Sequence, residues 1–236
     1  MSNHPELSIV ILCYRSEEKI IGFAEKVKKL AATLSDNYEI ILVGNYIEGS
    51  LDKTKEIVEQ IAREDAVFKT ITKPKRGMMG WDMKEGLSLA RGDFICVIDG
   101  DGQYPIGSIA RCFQEVKTGE FDLVKTYRVR RNDGIYRKLV SAVYNLLFSI
   151  LFPRVRSKDV NSKPKMFTRD LLDSLDLTSD DWFIDAEIMI DTSRLGKAIH
   201  EFPIDFYKLD GRASFVKFSA IFEFIRNLFR YRFSSR

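Results

Sequence analysis

The feature that most constrains this chain is a short strand-like run that recurs four times in its first hundred residues, apolar nearly throughout in three of the copies, with helical stretches between them. The runs are LSIVILCY (7–14), YEIILV (Tyr38–Val43), VFKTIT (67–72) and DFICVID (93–99). A run that is apolar at nearly every position, rather than at every second one, is a strand covered on both faces. Between the first two runs, Ile20, Ile21, Ala24, Val27 and Leu30 return at helical spacing in a helix that starts near Glu17. A second helix is predicted over 51–63, and a third within the Gly-rich segment that leads to residue 93. Such repeats wind a mainly parallel, Rossmann-like sheet with helices on both faces. Ligands of these sheets bind beyond the carboxyl ends of the strands. Chemistry is therefore expected just after Tyr14, Val43 and Ile98.

The second half is less regular. Strands are predicted over 122–126, 164–167 and 198–206, and helices over 134–152 and 184–195, with a last helix from about Ser214. No linker or repeat interrupts the 236 residues, so one domain (1–213) with a C-terminal helical appendage (214–236) is expected. Composition removes several classes of function. Lys and Arg number 37 against 34 Asp and Glu, a balance that argues against a nucleic-acid partner. Two histidines, His4 and His200, leave no multi-histidine metal site. Cys13, Cys96 and Cys112 are far apart and read as small buried hydrophobes in a reducing compartment. Neither a secretory signal nor an apolar run of about 20 residues is visible, so a cytoplasmic location is expected.

The fourth run ends in VIDGDGQYP. Asp99 and Asp101 lie two residues apart, Gly100 and Gly102 let the backbone turn, and Gln103 adds an amide. Oxygen donors of this kind suit Mg²⁺ or Mn²⁺, which can neutralise a diphosphate leaving group. An acidic Gly-rich turn with no ligand is the competing reading, and the position at a strand's carboxyl end weighs against it.

Here the chain resembles the family 2 glycosyltransferases of the polyprenyl-phosphate sugar synthase type, the dolichyl-phosphate mannose synthases and their bacterial relatives. SIVILCYRSEE, YEIILVGN, RGMMGWDMKEG, LARGDFICVIDGDGQYP, YRVRRNDGIYRKLVSAVYN and DGRASF occur in the family's order over about nine-tenths of the chain. ARGD followed by DGDGQYP is the most specific part. Two turns depart from the family. Leu12, Arg15 and Ser16 stand where Pro, Asn and Glu are usual, and Gly44-Asn45 replaces a pair of aspartates.

The resemblance implies a glycosyltransferase A-type fold, with a donor-binding half (about 1–118) and an acceptor half (119–213). It implies a nucleoside-diphosphate sugar donor, a polyprenyl-phosphate acceptor and a divalent metal held by Asp99, Asp101 and Gln103. Tyr14, Glu17, Asn45 and Gly80 would border the nucleotide, with a charge in the first turn of a helix as the equal alternative for Glu17. Arg128 and Arg137 match phosphate-contacting arginines, whereas Arg130 and Arg131 read as a solvated face. Asp159 stands where relatives carry an Asp before an S-G-F-like segment, which reads NSKPKMF here. Lys163 and Lys165 of that segment either touch phosphate or are simply solvated. Glu187 resembles a family acid, with capping or a buried ion pair as the alternative, and Trp81 and Met78–Met79 read as core.

The acceptor decides what else is needed. A lipid phosphate is already ionised and needs no base, whereas a glycan hydroxyl would call on Asp159. A noncatalytic nucleotide-sugar or membrane-binding module is the rival from another class, suggested by the altered turns. A dinucleotide oxidoreductase is disfavoured because CYRSEE has no glycine to admit a pyrophosphate. Lys208 to Arg236 carries seven basic and two acidic residues, with six phenylalanines between Phe215 and Phe233. Phe215, Phe218, Ile221, Phe222, Ile225, Leu228 and Phe229 share a helix face. Ser141, Asn145 and Ser149 form a polar stripe on the earlier helix. A basic amphipathic helix with an aromatic face suits an anionic membrane surface; packing on the sheet or on a partner subunit is the alternative.

Overall fold

A computed structural model describes residues 4–131, 135–207 and 218–233, with the backbone alone described for 130–131, 135–140 and 218–224. Strands β1 (Leu7–Leu12), β2 (Tyr38–Val43), β3 (Phe68–Ile71), β4 (Phe94–Asp99), β5 (Leu123–Arg131), β6 (Lys165–Thr168) and β7 (Ile199–Phe206) form one sheet. Its order is β3-β2-β1-β4-β6-β5-β7. The pairs among β1 to β4 and the β5–β7 pair are parallel. Strand β6 runs antiparallel between β4 and β5 and joins the two halves.

The uninterrupted apolar runs have the predicted cause, since consecutive residues fill opposite faces. Ile9, Ile11, Ile40, Leu42, Cys96 and Ile98 pack beneath α1 (Lys19–Leu34), α2 (Thr54–Glu64) and α4 (Gly107–Val116). Val10, Leu12, Ile41, Val43, Ile95 and Val97 pack on the other side. That side is covered by α3 (Met79–Leu89), α5 (Ile135–Leu151), α6 (Arg169–Ser174) and α7 (Ile184–Arg194). Helices α4 and α6 were not legible in the sequence. The first strand stops at Leu12, two residues earlier than its apolar letters suggest, because Arg15 and Glu17 turn the chain through left-handed backbone (φ 52° and 47°).

The last helix, α8 (Phe218–Phe233), packs against α5. Leu228 and Asn227 are buried, and Tyr231 lies on Phe183 and donates to Asp191. Docking on the body therefore accounts for part of this helix. Phe229 and Phe233 remain exposed, as do Val143, Leu146 and Ile150 of α5. The polar stripe predicted on α5 is not its outward face throughout, since Asn145 accepts from the Val160 amide. Among the described residues, no helix is long and apolar enough to cross a membrane.

Candidate active site

The turn after β4 is braced from several sides. A Cβ on Gly100 would come within 3.0 Å of Ile11 and 3.1 Å of the Leu12 carbonyl, so glycine is required for the close approach to β1. Gly102 adopts φ 76°, open to glycine at no steric cost. Asp101 Oδ1 accepts from the Gln103 amide at 3.0 Å. Gln103 Nε2 donates to the Tyr207 carbonyl, and the Tyr207 amide donates back to the Gln103 carbonyl, both at 3.0 Å. The turn is thus stitched to the end of β7. The contacts recorded for Gln103 are those of a brace for the turn, alongside its expected role as a ligand. A cleft of about 550 Å³ lies between this turn and Lys19, Phe23 and Lys26 of α1.

Three lysines lie beneath the turn in the core: Lys125, Lys163 and Lys165 are all 2% exposed or less. This corrects the reading of Lys163 and Lys165 as solvated side chains. The segment 159–163 is irregular yet buried, so its carbonyls need donors that no ladder supplies. Lys165 Nζ donates to the Val160 and Ser162 carbonyls, each at 3.0 Å, and to Asp185 Oδ1 at 2.5 Å. Lys125 Nζ donates to the Thr126 and Asp159 carbonyls and to Glu201. Lys163 Nζ lies 3.2 Å from Asp185 Oδ2, 3.2 Å from Met79 Sδ and 3.6 Å from Asp99 Oδ1. Asp185 is therefore a fully buried carboxylate bridging two ammonium groups. Burial opposes its charge, but those ammonium groups prevail and hold its carboxyl below the usual range. For Lys163 the attraction of Asp185 and Asp99 outweighs burial and raises its pKa, whereas burial pulls Lys165 down to about 7.

Asp159 and Arg128 are brought together, but as each other's partner. Arg128 Nε and Nη2 donate to the two carboxylate oxygens at 2.6 and 2.8 Å. Burial opposes the Asp159 charge, and the Arg128 guanidinium overcomes it, lowering the carboxyl from 3.8 to about 2. A carboxylate so paired is a poor proton acceptor. Because its pKa is lower folded than unfolded, the pair's contribution is full above pH 4 and fades as pH falls toward 2. The shift corresponds to about 2 kcal/mol, with roughly half of it gone by pH 3. Urea melts at pH 5 and pH 3 should show the stability gap between wild type and Asp159→Asn narrowing accordingly. An unchanged gap would mean that the pair carries no such linkage.

The carboxyl ends of β1 and β2 carry the residues expected to border the nucleotide. Tyr14 is half-buried, with Lys75 Nζ 4.5 Å from its ring centre. Glu17 is exposed, and its amide donates to Thr54 Oγ1. Asn45 is buried with both ends of its amide engaged: Nδ2 donates to Asp82 Oδ1 at 3.0 Å, and Oδ1 accepts from the Lys73 amide at 2.9 Å. Asp82 pairs in turn with Lys75. Burial raises the Asp82 carboxyl and lowers Lys75. A carboxylate from α3 thus stands near the place of the missing aspartate pair. Sequence reasoning overlooked it, although an Asp two residues after Gly80 on a buried helix face was a signal. Gly80 is spaced by protein: a Cβ there would lie 2.4 Å from the Ser179 carbonyl, and its amide donates to the Asp181 carbonyl. Glu187 accepts from the amides of Thr178 and Ser179, bracing the same loop. Arg137 falls among residues whose side chains lie outside the described set.

Mg²⁺ commonly takes one or two carboxylates, waters and substrate phosphates rather than an all-protein cage. Asp99 and Asp101 fit that pattern, and among the described residues no group of three or more His, Cys, Asp or Glu side chains is placed to hold a metal. The profile of glycosyl transferase family 2 matches residues 8–175. The undecaprenyl-phosphate 4-deoxy-4-formamido-L-arabinose transferase of Photorhabdus laumondii is 31% identical over 146 residues, 61% of this chain and 43% of that protein. Glycosyltransferase AglD of Haloferax volcanii is 28% identical over 208 residues, 85% of this chain and 33% of that one. The chain thus spans a third to under half the length of these two relatives. Glucosyl-3-phosphoglycerate synthase from Mycobacterium tuberculosis, solved with Mn²⁺, UDP and phosphoglyceric acid, superposes with a TM-score of 0.74 at 21% identity, over 98% of this chain and 78% of that one. The same enzyme has been solved with Mg²⁺ and UDP.

Proposed function

The chain belongs to glycosyl transferase family 2, and from that premise we propose that it moves a sugar, with inversion, from a nucleoside-diphosphate sugar to a polyprenyl phosphate at a membrane surface. The observation that carries the choice of acceptor is the Arg128–Asp159 pair. A hydroxyl acceptor needs a base, and Asp159, bound at both oxygens and held near 2, is spent on Arg128. A phosphate acceptor needs none. Its oxygen attacks the anomeric carbon while the bond from that carbon to the nucleoside diphosphate breaks, and no proton has to be removed. Asp99 and Asp101 would hold the divalent ion, whose chemistry is to neutralise the departing diphosphate. Tyr14 and the Asn45–Asp82–Lys75 cluster form one border of the donor site, which residues to about 118 build; residues 119–213 carry the acceptor side.

Two measurements test this reading. Thermal stability with UDP, GDP and CDP, each with and without Mn²⁺, should show a metal-dependent rise for one nucleotide. A ligand at a hundredfold excess over its Kd contributes about 2.7 kcal/mol. Mn²⁺ with a panel of sugar donors should then yield glycosylated polyprenyl phosphate. Transfer to soluble glycans alone would overturn the acceptor assignment, and no shift with any nucleotide would favour a noncatalytic module.

The membrane part of the reading rests on an exposed apolar face beside exposed arginines. Val143, Leu146 and Ile150 on α5, and Phe229 and Phe233 on α8, are between 44% and 74% exposed. Arg226, Arg230 and Arg232 are exposed on the same helix α8. Apolar side chains flanked by arginine suit an anionic bilayer interface. The Ile150→Glu, Phe233→Glu double variant should lower binding to phosphatidylglycerol-containing vesicles at least about tenfold, with the melting temperature unchanged. Equal co-sedimentation of variant and wild type would sink the assignment of this face.

A further inference from the structure

Of the three buried lysines, Lys163 differs in how its ammonium is satisfied. Lys125 and Lys165 each have three oxygen acceptors within 3.0 Å. Lys163 has one oxygen acceptor, Asp185 Oδ2 at 3.2 Å, and a weak thioether acceptor in Met79. Its remaining neighbour of opposite charge is Asp99 Oδ1 at 3.6 Å. The placement follows from the sheet. Strands β4 and β6 run antiparallel with Val97 opposite Lys165, which brings the end of β4, at Asp99, close to the residues just before β6, Lys163 among them. The Lys163 side chain is 2% exposed, so solvent screens its charge less than that of a surface lysine.

We propose that Lys163 is a charge-setting, positioning residue: its buried ammonium cancels the charge of Asp99, so that the turn binds a free divalent cation weakly and takes one up together with a diphosphate. This rests on reading the turn as the metal and diphosphate site. Without Lys163 the turn would present two carboxylates to an arriving cation. With it, the charge of Asp99 is offset by an ammonium 3.6 Å away. A diphosphate restores the attraction by bringing its own negative charge and oxygen ligands. Lys165 remains on Asp185 when Lys163 is replaced, so that buried carboxylate keeps a partner.

The test is Mn²⁺ binding without nucleotide, read by electron paramagnetic resonance on wild type, Lys163→Met and Lys163→Arg. Lys163→Met is expected to bind Mn²⁺ about tenfold more tightly or better, because a repelling charge has gone. Lys163→Arg should stay within about threefold of wild type. A gain in affinity is a readout that loss of structure cannot produce. Unchanged or weaker binding by folded Lys163→Met overturns the proposal. Should that variant not fold, wild type decides alone: a Kd for free Mn²⁺ tighter than about 10 μM, no better with UDP, GDP or CDP present, overturns it too. If Mn²⁺ binds under no condition, with or without these nucleotides, the reading of the turn as a metal site fails first, and the role of Lys163 falls with it.

Discussion

Replacing Asp101 by alanine is expected to lower sugar transfer by roughly a hundred- to a thousandfold, the usual loss when one group that stabilises developing charge is removed. The nucleotide-dependent gain in thermal stability should disappear with it. The effect belongs to the site and not to the fold. Asp101 sits in a half-exposed turn, and Gln103, Gly100 and Tyr207 hold that turn through contacts the substitution leaves in place. The melting temperature without ligand should fall far less than the activity, the lost Asp101–Gln103 hydrogen bond itself being worth about 1 kcal/mol. Initial rates at saturating donor and Mn²⁺, with melts alongside, separate the two. A variant within tenfold of wild type would place the charge-stabilising group elsewhere. A variant that loses activity and stability in proportion would make the turn a structural element.

The first half of the fold was legible because β1, β2 and β4 are buried on both faces, and such strands announce themselves as nearly unbroken apolar letters. VIDGDGQYP stands out in the sequence for a related reason, as a polar, Gly-rich turn directly after such a strand; the structure adds that Gly100 fits closely against β1 and that Gln103 braces the turn on Tyr207. Segment 159–165 was not legible. In NSKPKMF, two lysines two residues apart look like a solvated strand edge. Only the tertiary structure shows that they, with Lys125, supply donors to buried carbonyls and charge to Asp185. Asp159 had a different difficulty. Sequence places it near phosphate-binding chemistry, but its partner Arg128 lies 31 residues away on β5, so the base and the phosphate contact weighed separately turn out to be one pair. Helix α4 was not legible because it starts at Gly107 with no side-chain cap to mark its entry.

The largest stability effect is expected at Asp185, one of the fully buried side chains and the bridge between Lys163 and Lys165. Asparagine keeps its shape and removes its charge, leaving the Lys163 and Lys165 amines to share a neutral amide. Breaking a buried pair by removing one partner typically costs about 3–5 kcal/mol. That is a large part of a total stability of about 5–15 kcal/mol. Lys163 keeps Asp99, so the main burden falls on Lys165, whose remaining acceptors are the Val160 and Ser162 carbonyls. Lys165 already loses its proton near 7, far below an unfolded lysine, and Asp185 is what favours its charged form. In Asp185→Asn its pKa should fall further. The unfolded chain then holds more protons than the folded one, so the variant's stability rises with pH. Urea melts should accordingly show a larger deficit at pH 6.5 than at pH 9. A deficit below about 1 kcal/mol, or one of equal size at both pH values, would mean that the amide replaces the carboxylate by packing alone and that the lysines beneath the turn do not depend on its charge.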